Sequence, residues 1–438
     1  MYKIYAVAGD PVLHSASPEI FNEAFRAVSS DAVYTRIAAS GAGEIIDIAG
    51  EAGICGLNIT SPFKEEIVGY LDEAEGDARR IKAVNTVVRE RGRFIGYNTD
   101  CTGVVDALRY NGIDMKGKRA VVLGSSGAGR AAVFGLLSSG AQVTVINRTH
   151  EKAAEVAGIF GCNAVTFGEI GRVIPGAHIL ISCITSSERI IEPSLLRKDL
   201  VVLDANYSAP TALRMDAQSR GCRIVDGREW LLFQALPAFK LFTEKEAPVE
   251  IMRRALYGKD KNNKNNKGNI ALIGFMGVGK STIGERLAEY ARMNAVDIDR
   301  NIENGAGLPI GEIFGKSGED AFRAMERLEI SDMENASNGV FSCGGGAVLD
   351  RRNTDIIRRT SVPVWLWAKI ETILDRVGDG SLRPLLNGGD REEKVRDMLN
   401  ARLHLYARTA DMLIGTENKS PEEIVKRICD EIHISVNH

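Results

Sequence analysis

The chain has 438 residues, 44% apolar and 26% charged, with a formal net charge of -3. That length exceeds one hydrophobic core and predicts two or three domains, while the near-neutral balance gives no electrostatic reason to expect a nucleic acid or a membrane as partner. Seven cysteines scattered singly, with no CxxC pair, argue for a reducing cytosol and against a disulfide framework or zinc site. The opening MYKIY lacks a signal peptide's apolar core, and no run of about 18 apolar residues follows, so a cytoplasmic protein is expected. Oligomeric state is not legible.

Residues 1–100 read as alternating short strands and helices, with strands over 4–8 and 54–59. Polar clusters follow these apolar runs: His14-Ser15-Ala16-Ser17-Pro18, then Asn58-Ile59-Thr60-Ser61-Pro62-Phe63-Lys64, then Val84-Asn85-Thr86 and Asn98-Thr99-Asp100. Ligands of open α/β sheets bind at the carboxyl ends of strands, so these hydroxyls and amides can converge on one polyhydroxylated molecule. Lys64 and Asp100 are the candidate acid–base pair, because a lysine beside a carboxylate can shuttle a proton while both orient a hydroxyl.

A buried-strand run at 121–123 leads into GSSGAGR, a helical stretch at 131–139 and another strand at 142–146. This is the β–Gly-rich turn–α–β arrangement of a dinucleotide site. Gly124, Ser125, Ser126, Gly127, Ala128 and Gly129 form the candidate phosphate turn, with Ser126 where the G-x-G-x-x-G pattern has its second glycine. About 20 residues on, an NAD site would place a carboxylate; here stand Asn147, Arg148 and Thr149, then Lys152. Cations attract a 2′-phosphate through charge-assisted hydrogen bonds, which points to NADP rather than NAD.

Residues 258–268 read GKDKNNKNNKG, with no apolar side chain. Such a segment cannot bury enough surface to offset its ordering entropy, and it predicts a linker between halves that fold and work independently. Next comes a strand over 270–273 and GFMGVGKS at 274–281, a complete phosphate loop running into a helix. The backbone of Gly277, Val278 and Gly279 can turn inward around phosphates, with Lys280, Ser281 and Thr282 opening the helix. Lys280 can reach the β- and γ-phosphates, and the Ser281 hydroxyl can bind Mg²⁺. The class is α/β throughout.

The strings GDPVLHSASP, GLNITSPFK, AVNT, GYNTD, NRT, DANYSAPT and LLFQA, in that order over residues 1–256, resemble shikimate dehydrogenase. The resemblance implies an N-terminal α/β substrate domain over 1–100, with helices of 230–256 packing back, and a Rossmann-like NADP domain over 101–229. It implies that Ser15, Ser17, Asn58, Thr60, Asn85, Asp100, Tyr207 and Gln234 meet the substrate, and that Lys64 and Asp100 are the catalytic pair. Phe21 departs from the histidine frequent in that family.

Residues 269–438, beyond a linker at 257–268, resemble shikimate kinase, a phosphate-loop α/β domain with a central parallel sheet. The carrying residues are Asp297 and Asp299, Arg323 with Glu326, the triple glycine Gly344, Gly345 and Gly346, Arg383, and Arg402. The resemblance implies ATP and Mg²⁺, with Asp297 on the metal side and Asp299 holding substrate hydroxyls and accepting a proton. It also implies Arg323 and Arg402 as a carboxylate clamp, Arg376 against adenine, and Arg383 in a mobile lid over 378–390. His404 replaces a proline of that pattern. The whole reads as an enzyme converting 3-dehydroshikimate to shikimate and then to shikimate 3-phosphate. The alternative is a dehydrogenase using quinate or NAD, joined to a non-catalytic nucleotide-sensing module.

Overall fold

The computed structural model describes residues 2–184, 188–258, 268–377 and 390–433. Strands in the N-terminal part are β1 (Lys3–Gly9), β2 (Ala32–Ala38), β3 (Ile54–Ile59), β4 (Glu73–Ala74), β5 (Thr86–Glu90) and β6 (Arg93–Tyr97). Then come β7 (Arg119–Leu123), β8 (Gln142–Ile146), β9 (Asn163–Val165), β10 (Ile179–Ser182), β11 (Val201–Asp204) and β12 (Arg223–Val225). The C-terminal part adds β13 (Asn269–Ile273), β14 (Asn294–Asp297), β15 (Gly339–Ser342), β16 (Ser361–Trp367) and β17 (Met412–Gly415). Among the described residues no helix is long and apolar enough to cross a membrane.

Two compact units emerge, and they do not follow chain order. One gathers Met1–Pro18, Ser29–Cys55 and Lys259–His438; the other holds Glu19–Val28 and Gly56–Gly258. The first unit's sheet runs β14-β15-β13-β16-β17-β2-β1, with every pair parallel. β13, which feeds the phosphate loop, lies between β15 and β16 in this sheet and is buried along its whole length.

The expectation of two halves parting at 258–268 meets a different arrangement here. β17 pairs in parallel with β2, Leu413 opposite Ile37 and Ile414 opposite Ala38. An unpaired edge strand offers a row of free N–H and C=O groups, and pairing satisfies it. Side chains reinforce this junction: Lys419 bonds Glu44, and Arg427 donates to the carbonyl of Ala39 at 2.9 Å. The polar composition of the linker describes the tether and says nothing about the surfaces it joins; its residues 259–267 lie outside the described set.

In the second unit β3, β5 and β6 pair antiparallel, with β4 parallel to β6. A six-stranded parallel sheet follows in the order β12-β11-β10-β7-β8-β9. Alternate residues of β7 enter opposite cores, Ala120 and Val122 on one face, Val121 and Leu123 on the other. A parallel sheet covered on both faces requires this unbroken apolar run. The helices Asp100–Tyr110 and Gly227–Thr243 pack so closely that a methyl on Gly103 would come within 2.7 Å of Gln234 Cβ.

Candidate active sites

In the second unit, β3 ends at Ile59 and the following turn carries Lys64, whose backbone carbonyl accepts from Val84 N at 2.7 Å. Asp100 opens the helix Asp100–Tyr110, where the Asn98 side chain accepts from the N–H groups of Asp100 and Cys101 at 3.1 and 3.2 Å. Those two anchors bring Lys64 Nζ to 2.5 Å from Asp100 Oδ2, with the side chains 17% and 8% exposed. Beside the pair lies an amide–hydroxyl network. Asn85 donates to Thr99 Oγ1 at 2.9 Å and to Gln234 Oε1 at 3.1 Å, and it accepts from Thr99 N at 2.7 Å. Asn58 donates to the Asn85 carbonyl at 3.2 Å and to Thr86 Oγ1 at 3.0 Å. Trp230 Nε1 donates to the Asp100 carbonyl at 2.9 Å. Thr60 is half-buried at the end of β3, and Tyr207 is half-buried in the loop after β11. Ser15 and Ser17 belong to the first unit, buried and 3.2 Å apart through their hydroxyls.

The glycine-rich turn reaches Lys64 directly. Gly127 starts the helix Gly127–Ser138, and a Cβ there would fall 2.7 Å from Lys64 Cβ. A Cβ on Gly129 would lie 2.1 Å from the Gly124 carbonyl oxygen, so only glycine allows that turn. Ser126, the departure from the fingerprint, sits at φ -66, a conformation open to any residue, and its side chain is exposed. Ser125 is buried and Ala128 half-buried around it. Asn147 folds back onto the Thr149 carbonyl at 3.0 Å, while Arg148, Thr149 and Lys152 are exposed at the start of the helix His150–Phe160.

Arg130 follows this turn. It is buried between Glu65, at 3.3 Å, and Glu155, at 2.8 Å, and so ties the helix Gly127–Ser138 to the residue next to Lys64. No local period marks such a bridge, since Glu65 lies on a separate element.

In the first unit the phosphate loop follows β13. Gly274, Gly277 and Gly279 all take positive φ, and a Cβ on Gly274 would lie 2.4 Å from the Leu366 carbonyl oxygen. Val278 is buried, and Lys280 begins the helix Lys280–Ala291 with Nζ donating to the carbonyls of Gly274 and Phe275 at 3.0 and 2.9 Å. Ser281 and Thr282 are exposed on its first turn. Arg376 reaches the Gly277 carbonyl at 3.4 Å and Thr416 Oγ1 at 3.3 Å. Arg383 lies outside the described residues.

The acceptor side forms around the triple glycine. A Cβ on Gly344 would approach Glu326 Oε1 to 2.6 Å and Asp299 Oδ1 to 2.8 Å, and one on Gly346 would approach the Arg323 guanidinium to 2.4 Å. Arg323 Nη1 donates to Glu326 Oε2 at 2.8 Å, and Arg402 Nη1 to the Gly345 carbonyl at 3.3 Å. Tyr406, fully buried, donates to the same carbonyl at 2.6 Å. Burial pushes the Glu326 carboxyl above its ordinary range despite Arg323. Burial also pulls on Arg323, but the carboxylates of Glu326 and Glu319 more than offset it, so the guanidinium stays charged. Asp297 caps the helix Ile298–Ala306 by accepting from Arg300 N at 3.1 Å. Glu326 is legible in the sequence as the motif neighbour of Arg323, whereas Tyr406 is placed beside the glycine turn by its bond to the Gly345 carbonyl.

Comparison with known proteins follows this geometry. A shikimate dehydrogenase substrate-binding domain model matches residues 7–87, and a shikimate / quinate 5-dehydrogenase model matches 107–203. The shikimate dehydrogenase (NADP(+)) of Pyrococcus abyssi is 38% identical over 258 residues, covering 58% of this chain and 96% of the relative. The chain belongs to the shikimate dehydrogenase family. Unlike a relative covered almost entirely by that stretch, it continues into residues 276–433, which match a shikimate kinase model. Among solved structures, shikimate dehydrogenase from Aquifex aeolicus has a TM-score of 0.56 at 34% identity, covering 58% of this chain and 98% of that one. Quinate dehydrogenase from Corynebacterium glutamicum in complex with NAD has a TM-score of 0.55 at 28% identity, covering 59% of this chain and 99% of that one.

Proposed function

We propose that the chain catalyses two consecutive reactions: reduction of 3-dehydroshikimate to shikimate with NADPH, then phosphorylation of shikimate by ATP to shikimate 3-phosphate. The observation that carries this reading is that one chain holds two clusters of reactive groups. One is a lysine–carboxylate pair packed on a dinucleotide turn; the other is a phosphate loop beside a guanidinium-clamped glycine turn. In domain terms, we assign 1–100 with 230–256 to the dehydrogenase substrate, 101–229 to the cofactor and 269–438 to the kinase.

In the reduction, the hydride for the carbonyl carbon would come from NADPH when bound. Lys64 delivers the proton that the new alkoxide needs, and Asp100 orients the ammonium and a neighbouring hydroxyl. Asn58, Thr60, Asn85, Gln234, Ser15 and Ser17 take the remaining hydroxyls and carboxylate, with Tyr207 at the mouth. Arg148, Lys152, Asn147 and Thr149 read the 2′-phosphate. The NAD alternative has this pair of cations against it, and the quinate alternative has the serine pair Ser15 and Ser17.

In the phosphorylation, Arg323 and Arg402 hold the shikimate carboxylate, each fixed from behind by Glu326 or the Gly345 carbonyl. Asp299 accepts the proton of the attacking hydroxyl, while Lys280 stabilises charge on the transferred group; the same role for Arg383 rests on the motif alone. The Ser281 hydroxyl and the Asp297 carboxylate are oxygen donors of the kind Mg²⁺ prefers, and they are the residues that would hold it. When bound, Mg²⁺ neutralises phosphate charge. A non-catalytic sensing module has no use for the clustering of Asp299, Arg323 and Arg402 around one glycine turn.

Each half-reaction is tested alone: NADPH absorbance is followed with 3-dehydroshikimate, and ADP release with shikimate and Mg²⁺. ADP release that does not depend on shikimate would overturn the kinase reading.

A further inference from the structure

The loop that carries Ser15 and Ser17 is held by an element more than 400 residues away. Glu431 lies near the end of the helix Pro421–Ile432 and is only 2% exposed. Its Oε1 accepts from Val12 N at 3.0 Å, and its Oε2 accepts from Val12 N at 2.9 Å and from Leu13 N at 2.8 Å. The separation of 419 residues joins the last helix of the kinase segment to the first loop of the dehydrogenase segment, both inside the first compact unit.

The loop is gripped from a second side as well. Arg36 on β2 donates through Nε and Nη2 to the Ser15 carbonyl at 3.1 and 2.6 Å, and through Nη1 to the Asp411 carbonyl at 3.2 Å. Arg427, one turn before Glu431, pairs with Asp10 at 3.3 Å. The loop between β1 and Ser17 therefore has two of its N–H groups, one carbonyl and one carboxylate fixed by side chains that belong to, or bridge to, the C-terminal segment. Backbone N–H groups buried without a partner are costly, so a buried carboxylate that takes two of them decides where the loop rests.

We propose that Glu431 is a positioning residue for the dehydrogenase reaction, through which the kinase segment sets the conformation of the substrate loop Val12–Ser17. This rests on the reading above that Ser15 and Ser17 meet the dehydrogenase substrate. Glu431 touches no reacting atom; it acts through the loop. Fusion of the two enzymes then does more than co-produce them, because the dehydrogenase borrows part of its binding-site scaffold from the kinase.

The test uses the full chain with Glu431→Ala, Glu431→Gln and Ser15→Ala, each assayed for both activities. Loss of the carboxylate lets the loop leave the binding-competent state, and apparent affinity falls by the fraction lost. For Glu431→Ala we expect the dehydrogenase KM for shikimate to rise about tenfold, with kcat and the NADP KM changing little, as uniform binding loss requires. Phosphorylation of shikimate should keep its wild-type kcat and KM. Glu431→Gln retains one accepting oxygen that both N–H groups can share, so it should recover part of the affinity. If Ser15→Ala raises the shikimate KM and Glu431→Ala leaves it unchanged, the positioning role is wrong. If Glu431→Ala lowers dehydrogenase and kinase turnover in equal proportion, Glu431 serves only stability, and the proposal is again overturned. If Ser15→Ala leaves the KM unchanged, the failure lies in the reading of the loop as a substrate contact, and the proposal falls with it.

Discussion

Replacing Lys64 with alanine separates the two halves of the mechanism most cleanly. The ammonium sits 2.5 Å from Asp100, with side chains 17% and 8% exposed, so the substitution removes a proton donor and leaves a largely buried carboxylate without its cation. Positioned acid–base help is worth ~10²–10⁴-fold in rate, which corresponds to roughly 3–5 kcal/mol of barrier. Removing one partner of a buried pair costs about 3–5 kcal/mol of stability, an upper bound here because the lysine cavity admits water to Asp100. Both consequences stay in the second unit, which holds Lys64 and Asp100, while the phosphate loop lies in the first. The assay follows NADPH consumption with 3-dehydroshikimate and, in parallel, phosphorylation of added shikimate. Turnover of the first should fall by at least about a hundredfold while the second stays near wild type. Because residues that act as a unit are non-additive, the double variant Lys64→Ala/Asp100→Asn should be little worse than the poorer single one. Wild-type reduction by Lys64→Ala would refute the assignment, and fully additive losses would show that the two residues do not work as a pair.

Other consequences follow from the same geometry. Arg148→Asp places a carboxylate at the exposed end of β8, where it repels a 2′-phosphate and can accept from a 2′-hydroxyl; the KM for NADPH should rise and that for NADH fall, and unchanged values for both would contradict the role of Arg148. Asp299→Asn removes the proton acceptor beside Gly344, so kinase turnover should collapse while ATP binding, measured by calorimetry, persists; normal turnover would contradict it. Glu326 has its carboxyl raised above its ordinary 4.5 by burial, so above that pH the folded state holds a proton that the unfolded state has lost. Stability from this group is therefore full at low pH and declines as pH rises through the folded value. Glu326→Gln cannot titrate, and its urea midpoint should gain on wild type as pH rises through that window; a constant gap would rule the shift out.

The parts that were legible in the sequence share a physical cause: they are local. Gly274, Gly277 and Gly279 take φ values that few other residues adopt, so the phosphate loop is written in glycine. Lys64 and Asp100 stand next to strand ends, where α/β sheets place ligands, and the cation at Arg148 follows from the end of β8. Ser126, the departure from the dinucleotide fingerprint, sits at φ -66, so the backbone there imposes no demand for glycine. What stayed hidden joins distant segments. Tyr406 sits among ordinary helical residues, and only the fold brings its hydroxyl to the carbonyl of Gly345. The pairing of β17 with β2 and the grip of Glu431 on Val12 are also non-local; an edge strand carries no sequence mark of its neighbour. The polar composition of the linker carries no information on that pairing, because the strands that pair lie far from it in sequence.

The central claim, that one chain performs both steps in sequence, is tested most directly by a single incubation. Purified full-length protein is mixed with 3-dehydroshikimate, NADPH, ATP and Mg²⁺, and the products are identified by mass spectrometry. The account predicts shikimate 3-phosphate, formed with NADP⁺ and ADP in equal amounts and lost when either NADPH or ATP is omitted. Shikimate accumulating without phosphorylation, or no consumption of 3-dehydroshikimate at all, would contradict it.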